Sequence, residues 1–322
     1  MTSLRIVGAG PAGSAAALAA LDEGRSVELR EKSRFPRHKV CGEFLSPEVA
    51  GVLDRLGVAR EFAAAHPSRI DRLVLQFGTR TRTCKLPETA FGLSRYALDH
   101  LLLEAARARG AVLVREFSDE RPDVIATGRP GLAPKGKRLF GFKAHFRGPV
   151  GDAVELHFFS GVYVGINTVE DGITNVCGLA PEPFLRARGF DFDTVLAASE
   201  PLAERVRPLA RSMDWLAVGP VSFGGGFRSS DGPYRAGDAL GFVDPFTGTG
   251  ILNALLTGRL AGIAAARGIA SAEYERDCRK ALARPVGVAA LFRKALQSGW
   301  MDFLAPLLPA ELLFRLTRPR AA

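Results

Sequence analysis

The sequence predicts an α/β fold in which a parallel, helix-flanked sheet is interrupted by an inserted antiparallel sheet and followed by a helical segment. Three observations carry this. A strand, a glycine-rich turn, a small-residue helix and a second strand fill the first thirty-one residues. Short segments of alternating polarity occupy the middle of the chain. A second strand, glycine-rich loop and helix follow near residue 237. The two glycine-rich turns lie at opposite ends, so if they serve one ligand, the domain that holds it is discontinuous.

The first turn is the more readable. Leu4 to Val7 is an apolar run, GAGPAG occupies 8–13, and SAAALAALDEG reads as a helix ending at Gly24. Val27 and Leu29 then alternate in a strand that ends at Glu31. Gly8 permits the tight turn, Gly10 lets backbone approach a pyrophosphate, and Gly13 lets helix and strand pack closely. The helix N-terminus adds free amides and a positive dipole end. Glu31, eighteen residues after Gly13, is placed to accept ribose hydroxyls. The motif alone does not separate one dinucleotide from another.

Composition bounds the rest. The chain has 322 residues, 47% hydrophobic and 24% charged, which suits about two globular domains with a substantial core and excludes disordered, collagenous and disulfide-scaffold classes. Cys41, Cys84, Cys177 and Cys278 are widely spaced, with no C-x-x-C pair, so structural zinc is not expected. No secretory leader precedes the first strand, and a reducing cytosol is the expected compartment. The net charge of +9 comes from 43 basic residues, only eight of them lysine. They are scattered and not interleaved with aromatics, so no nucleic-acid partner is expected. The most apolar stretch, 237–270, carries Asp238, Asp244, Arg259 and Arg267, which excludes a transmembrane helix there.

Near the other end, YRAGDALGFVDPFTGTGILNAL runs over 234–255. It reads as a strand ending at Gly237, an acidic residue at Asp238, a Pro/Gly-rich loop, and a helix opening near Gly250 with outward amides. With these residues on the page, the chain resembles the FAD-dependent oxidoreductases of the p-hydroxybenzoate hydroxylase fold, in particular the geranylgeranyl reductase branch. The resemblance rests on GAGPAG, on RFPRHKVCGEFLSPE at 34–48, on LSRYALDHLL from Leu93, on DVIATGRP from Asp123, and on GDALGFVDPFTGTGI from Gly237, all in the family's order. It implies a Rossmann-like FAD-binding domain and FAD as cofactor, with NAD(P)H as a candidate electron donor.

Carried over by position, the resemblance places Gly8, Gly10, Pro11, Ala12 and Gly13 at the pyrophosphate and Glu31 and Lys32 at the adenosine ribose. Arg95 falls at the ribityl-pyrophosphate region, with Thr127 and Gly128 in the same cofactor site. Gly237 and Asp238 serve the ribityl hydroxyls, and Gly248, Thr249, Gly250 and Ile251 meet the pyrimidine edge of the flavin. A helix N-terminus at that edge would stabilise the negative charge that reduction builds there. Cys41 and Gly42 fall close to the flavin ring. A thiol there could donate a proton beside the carbon that receives hydride; a small buried residue in a tight turn accounts for Cys41 equally well. Arg34, Arg37 and His38 face a cofactor phosphate, a reductant or solvent.

Alternating segments at 73–77, 138–146, 154–159, 162–167 and 173–179 read as an antiparallel sheet forming the wall of a substrate cavity. In GFKAHFRG, Phe142, Ala144 and Phe146 share one face; Lys143, His145 and Arg147 share the other, expected to be solvated. His145 and His157 are candidate titrating groups, whereas Cys84, Cys177 and Cys278 have no such context. The expected division is 1–69, 93–132 and 230–280 for the FAD-binding domain, 70–92 and 133–229 for the substrate sheet, and 281–322 for a C-terminal helical cap. Leucine-rich stripes in that cap, followed by Arg315, Arg318 and Arg320, suit core packing or a peripheral membrane contact.

Three departures narrow the reading. Only about fifteen residues separate Gly110 from Ala126, so the flavin domain is trimmed. ATG at 126–128 stands where aromatic hydroxylases have A-D-G, and YVGIN at 163–167 stands where archaeal lipid reductases have Y-x-W-x-F-P. With Trp215 and Trp300 the only tryptophans, the W-x-W-x-I-P element of halogenases is absent. The resulting expectation is a reductase (or oxidase) of a C=C or similar bond in an apolar small molecule. An FAD-dependent monooxygenase and a non-catalytic FAD-binding partner protein are the alternatives. The sequence assigns no oligomeric state.

Overall fold

A computed structural model describes residues 3–115, 120–128, 138–221, 232–241 and 248–282. The chain opens with β1 (Leu4–Val7), α1 (Pro11–Asp22) and β2 (Val27–Arg30). It passes through β3 (Phe44–Leu45), α2 (Val49–Arg55) and α3 (Ala59–Ala64) into a long hairpin, β4 (Ser68–Phe77) and β5 (Arg80–Gly92). It returns through α4 (Arg95–Ala108), β6 (Val112–Val114) and β7 (Val124–Ile125), then crosses to β8 (Leu139–Arg147), β9 (Ala153–Phe159), β10 (Val162–Thr168) and β11 (Thr174–Pro181). Three short helices follow, α5 (Glu182–Arg186), α6 (Phe192–Ala197) and α7 (Glu200–Val206), with β12 (Ala210–Arg211) and β13 (Leu216–Val221) after them. β14 (Tyr234–Arg235) and α8 (Gly250–Arg267) complete the first layer.

Two sheets result. The first is parallel, in the order β14-β7-β1-β2-β6. The second runs β12-β8-β11-β10-β9-β4-β5-β3, with β13 also on β8. It is mixed, not wholly antiparallel as the strand patterns suggest, because β4 pairs β9 in parallel from Arg72↔Ala153 to Phe77↔Phe158. The reason is topological: β3–β5 and β8–β13 are separate excursions from the first layer, so no hairpin turn dictates the direction of the pair that joins them.

Packing of the first layer depends on α1, which is rich in the best helix former, begins with Pro11 at a position where proline is tolerated, and buries every residue from Pro11 to Ala20. It lies between the parallel sheet and α8. A Cβ at Gly258 would fall 2.1 Å from the Ala12 carbonyl oxygen, and one at Gly262 would fall 2.2 Å from that of Ala16. Two glycines one turn apart therefore bring the helix backbones into contact.

The second layer departs from expectation at β8. Phe142 and Ala144 face a cluster formed with Val176, Leu185, Val195 and Leu202. The opposite, charged face is solvated only at Arg147: Lys143 is 0% exposed and His145 7%. That face is covered by the loop that carries Cys41 to Phe44, which alternation within β8 cannot reveal. Residues 271–282 are helical and bury Tyr274, Cys278 and Leu282. Among the described residues no helix is long and apolar enough to cross a membrane. The cap expected at 281–322, with its proposed membrane contact, lies outside the described residues from 283 onward.

Candidate active site

A cavity of ≈ 320 Å³ lies between the two sheets. One end is built at the carboxyl ends of the parallel strands, where α/β folds place their ligands. After β1 come Gly8 and Gly10, after β2 Glu31, after β7 Thr127 and Gly128, and after β14 Gly237 and Asp238; all line the cavity. Pro11 and Ala12 in the first turn of α1 and Gly248, Gly250 and Ile251 at the opening of α8 line it too. Neither helix start carries a side-chain cap. Two sets of first-turn amides and two positive dipole ends thus meet one space, as a pyrophosphate and an electron-rich ring edge require.

Local chemistry explains the cradle. Gly8 adopts φ 99, and a Cβ at Gly13 would fall 1.6 Å from the Gly8 carbonyl oxygen, so the turn closes directly under the helix. Glu31 is buried; its carboxylate accepts from the backbone N–H of Ala9 at 3.0 Å and of Ser33 at 2.8 Å. Burial pushes its pKa up, but those amides and the nearby Arg37 hold it below the usual carboxylate range. Arg37 stands 3.8 Å from it on the cavity wall. Arg95, at the start of α4, forms a two-pronged ion pair with the buried Asp99, at 2.5 and 2.7 Å, which fixes its guanidinium on the cavity wall.

Three of the residues assigned to the cofactor by resemblance do not line the cavity: Gly13, which packs beneath Gly8; Lys32, which is exposed; and Thr249, buried at the N-cap of α8. The 242–247 part of the second signature lies outside the described residues. His157 is buried beside Glu155, 3.6 Å away, and does not reach the cavity.

The other end of the cavity is the inner face of the second sheet. Leu73 and Leu75 of β4, Val154, Leu156 and Phe158 of β9, and Leu179 of β11 make it apolar. Between the two ends stand Cys41, Gly42, Tyr163 and Cys177. Cys41 Sγ accepts from the Glu43 N–H at 3.4 Å, and Asn175 donates to the carbonyls of Cys41 and Gly42 at 3.2 and 2.9 Å, pinning the loop to β11. Burial, aided by the neighbouring Cys41, pushes the Cys177 thiol up to about 12. Burial, with Cys177 and Cys41 alongside, also raises the Tyr163 phenol well above its usual value.

Sequence reasoning missed Glu43, Lys143, Tyr163 and Cys177. Glu43 lies within the recognised C-G-E element and was legible as a candidate, whereas the others come from β8, β10 and β11, whose inner face only assembly reveals. Glu43 is fully buried; it accepts from Lys143 Nζ and, at 2.6 Å, from the Arg95 N–H, and pairs with His145 Nε2 at 2.7 Å. Burial would raise its pKa, yet the His145 bond and the Lys143 charge hold it below the usual range.

Fold and cavity define an α/β protein in which a dinucleotide-type cradle and an apolar wall face each other across one cavity. No protein-family model matches the chain. It is similar to the menaquinone reductase of Mycolicibacterium smegmatis, 28% identical over 316 aligned positions that span 80% of this chain and 74% of the relative. It is similar also to digeranylgeranylglycerophospholipid reductase 2 of Methanosphaera stadtmanae, 28% identical over 331 positions, 86% of this chain and 80% of the relative. Among solved structures, the flavin-dependent brominase Bmp2 superposes with a TM-score of 0.79 at 18% identity, covering 98% of this chain and 92% of that one. The chain has the p-hydroxybenzoate hydroxylase-type fold of these flavin-dependent proteins, and its likeness to the two reductases runs over most of their length.

Proposed function

We propose that the chain is an FAD-dependent reductase that adds hydride and a proton across a C=C or similar bond of an apolar small molecule. The observation that carries this is the continuity of one cavity, with a dinucleotide cradle at one end and an aliphatic and aromatic wall at the other. The two relatives aligned over most of their length support it, since the substrates their names give, menaquinone and a digeranylgeranylglycerophospholipid, both carry long apolar prenyl chains. The residues fit FAD: Glu31 would accept the ribose hydroxyls, the first turn of α1 would hold the pyrophosphate, and Asp238 would take the ribityl chain. The first turn of α8 would meet the flavin ring edge. Bound FAD supplies hydride chemistry, refilled by a two-electron donor such as NADH or NADPH.

The chain's own residues then have separable tasks. The wall of β4 and β9 excludes water from the reacting bond and selects apolar substrates by area. Arg95, clamped by Asp99, keeps a permanent positive charge at the cofactor's waist. Cys41, which lines the cavity between cradle and wall, would protonate the carbon next to the one receiving hydride. Hydride to one carbon and a proton to its neighbour convert C=C to CH–CH while the nicotinamide donor is oxidised.

Anaerobic incubation of the FAD-loaded protein with NADH or NADPH and menaquinone or a geranylgeranylated lipid tests the proposal; reduced product without oxygen is the expected result. The fold likeness to the brominase favours a second reading, an oxygen-using monooxygenase or halogenase. Substrate-dependent oxygen consumption with no anaerobic turnover would establish it in place of the reductase.

A further inference from the structure

Glu43 has more partners than a structural carboxylate needs. Its backbone lies in the left-handed region at φ 53, which side-chain-bearing residues rarely adopt and which concentrates at functional sites. One carboxylate oxygen takes Lys143 and the Arg95 N–H, and the other takes His145. From His145 the cluster continues outward. The His145 ring meets His38 edge-on with centroids 5.1 Å apart, and His38 stacks at 4.9 Å on Tyr96, which is 44% exposed. Inward, Glu43 lines the cavity beside Cys41.

Two simpler accounts fail. A buried ion pair explains Glu43 and Lys143 but not two histidines in file toward the surface. Nor does it explain the buried Nδ1 of His38, which has no hydrogen-bond partner among the described residues. A metal site is suggested by His38, Glu43 and His145, which each offer an atom within 4.8 Å of the others. A cation there would share its carboxylate with the Lys143 ammonium, and the repulsion disfavours it.

We propose that His38, His145 and Glu43 form a proton path from the surface to the cavity, with Lys143 as the counter-charge of Glu43. One water between the two imidazoles completes it. Each turnover would move a proton from Cys41 to substrate as a new proton enters at His38. The thiolate would be refilled from His145 through Glu43 and a water of the cavity, because Cys41 Sγ meets the backbone N–H of Glu43 and not its carboxylate. This last step rests on the reductase reading, and the hydride comes from the nicotinamide donor named there. The charged and titrating groups facing Glu43 are Lys143 and His145 from β8, Arg95 from α4, Cys177 from β11, and Cys41 and His38 from its own loop. Burial, with Lys143 and His145 alongside, holds His38 below the usual histidine range, against the pull of Glu43.

The test uses nitrogen-15 histidine NMR on the FAD-loaded chain, whose five histidines make assignment tractable. Glu43→Gln should move the titrations of both His145 and His38 to lower pH. His38→Asn should move that of His145 and slow reoxidation of the reduced protein by acceptor at least tenfold more than its reduction by NADH or NADPH, with recovery on adding imidazole. Should Glu43→Gln fail to fold, His38→Asn at the outer rim supplies the same NMR readout. Unmoved histidine titrations overturn the path, and so does stoichiometric Zn²⁺ binding that both His38→Asn and His145→Gln abolish. If the wild type reduces no acceptor, the reductase reading falls while the NMR coupling still decides the path.

Discussion

The Glu43 carboxylate and the Lys143 ammonium are in contact, with no exposed surface on either side chain and 100 positions between them in the chain. The pair ties the C-G-E loop, which leads from the first layer into β3, to strand β8 of the second sheet. Removing one partner strands the other charge in a dry interior. Lys143→Met should cost about 3–5 kcal/mol, and the double change Glu43→Gln with Lys143→Met should recover part of that loss. Urea unfolding of the two variants measures it; equal losses in the single and double variants would show that the pair is not coupled.

Acid sensitivity follows from two carboxylates. Hydrogen bonds and neighbouring cations hold both Glu43 and Glu31 below the usual carboxylate range in the folded chain, against the effect of burial. A depressed folded pKa contributes stability that is present above the unfolded value and lost as pH falls through the folded one. The urea midpoint should therefore be level from pH 7 to about 5.5 for these groups and decline below about 4.5. Glu31→Gln should flatten part of that decline; an unchanged slope would remove Glu31 from the account.

Glu31→Gln also tests the cradle. It removes the negative charge offered to ribose hydroxyls and keeps an oxygen for only one of the Ala9 and Ser33 amides, which bond to opposite oxygens of the Glu31 carboxylate. A lost charge-assisted hydrogen bond is worth about 1.5–3 kcal/mol, so FAD affinity should fall roughly tenfold to a hundredfold. Flavin fluorescence titration reads the change, and an unaltered affinity would place the ribose elsewhere.

Helix contact supports the same cradle from behind. A methyl group at Gly258 would meet the Ala12 carbonyl at 2.1 Å, so Gly258→Ala must part α1 from α8. The expected loss is about 1–3 kcal/mol, accompanied by weaker FAD binding because the first turn of α1 moves with it. Stability loss with unchanged FAD affinity would show that the turn is held by the sheet alone.

Thiol reactivity separates the cysteines. Burial pushes Cys177 and Cys278 up to about 12. Neither should be alkylated in the native protein at pH 8, since the thiolate is the nucleophile. Mass spectrometry after iodoacetamide treatment checks this, and modification at the rate of an unfolded control would contradict it.

How much of this was readable from the residues alone follows from where each signal lies. GAGPAG with its flanking strands and Glu31 is a local unit: the turn, the small helix and the acidic strand end are contiguous, and each has a periodicity or a steric demand of its own. The same holds for the helix that opens at Gly250. These sequence features determined the α/β class, the discontinuous cofactor layer and the chemistry of the cradle. What tertiary structure decided is everything that depends on a covering surface. Alternation in β8 separates Lys143 and His145 from Phe142 and Ala144, but cannot say that the C-G-E loop lies over the charged face and dries it. The parallel joining of β4 to β9 and the arrival of Cys177 and Tyr163 at the cavity have the same origin. Burial and strand partnership between distant segments are properties of the assembled layers, and no single stretch of chain encodes them.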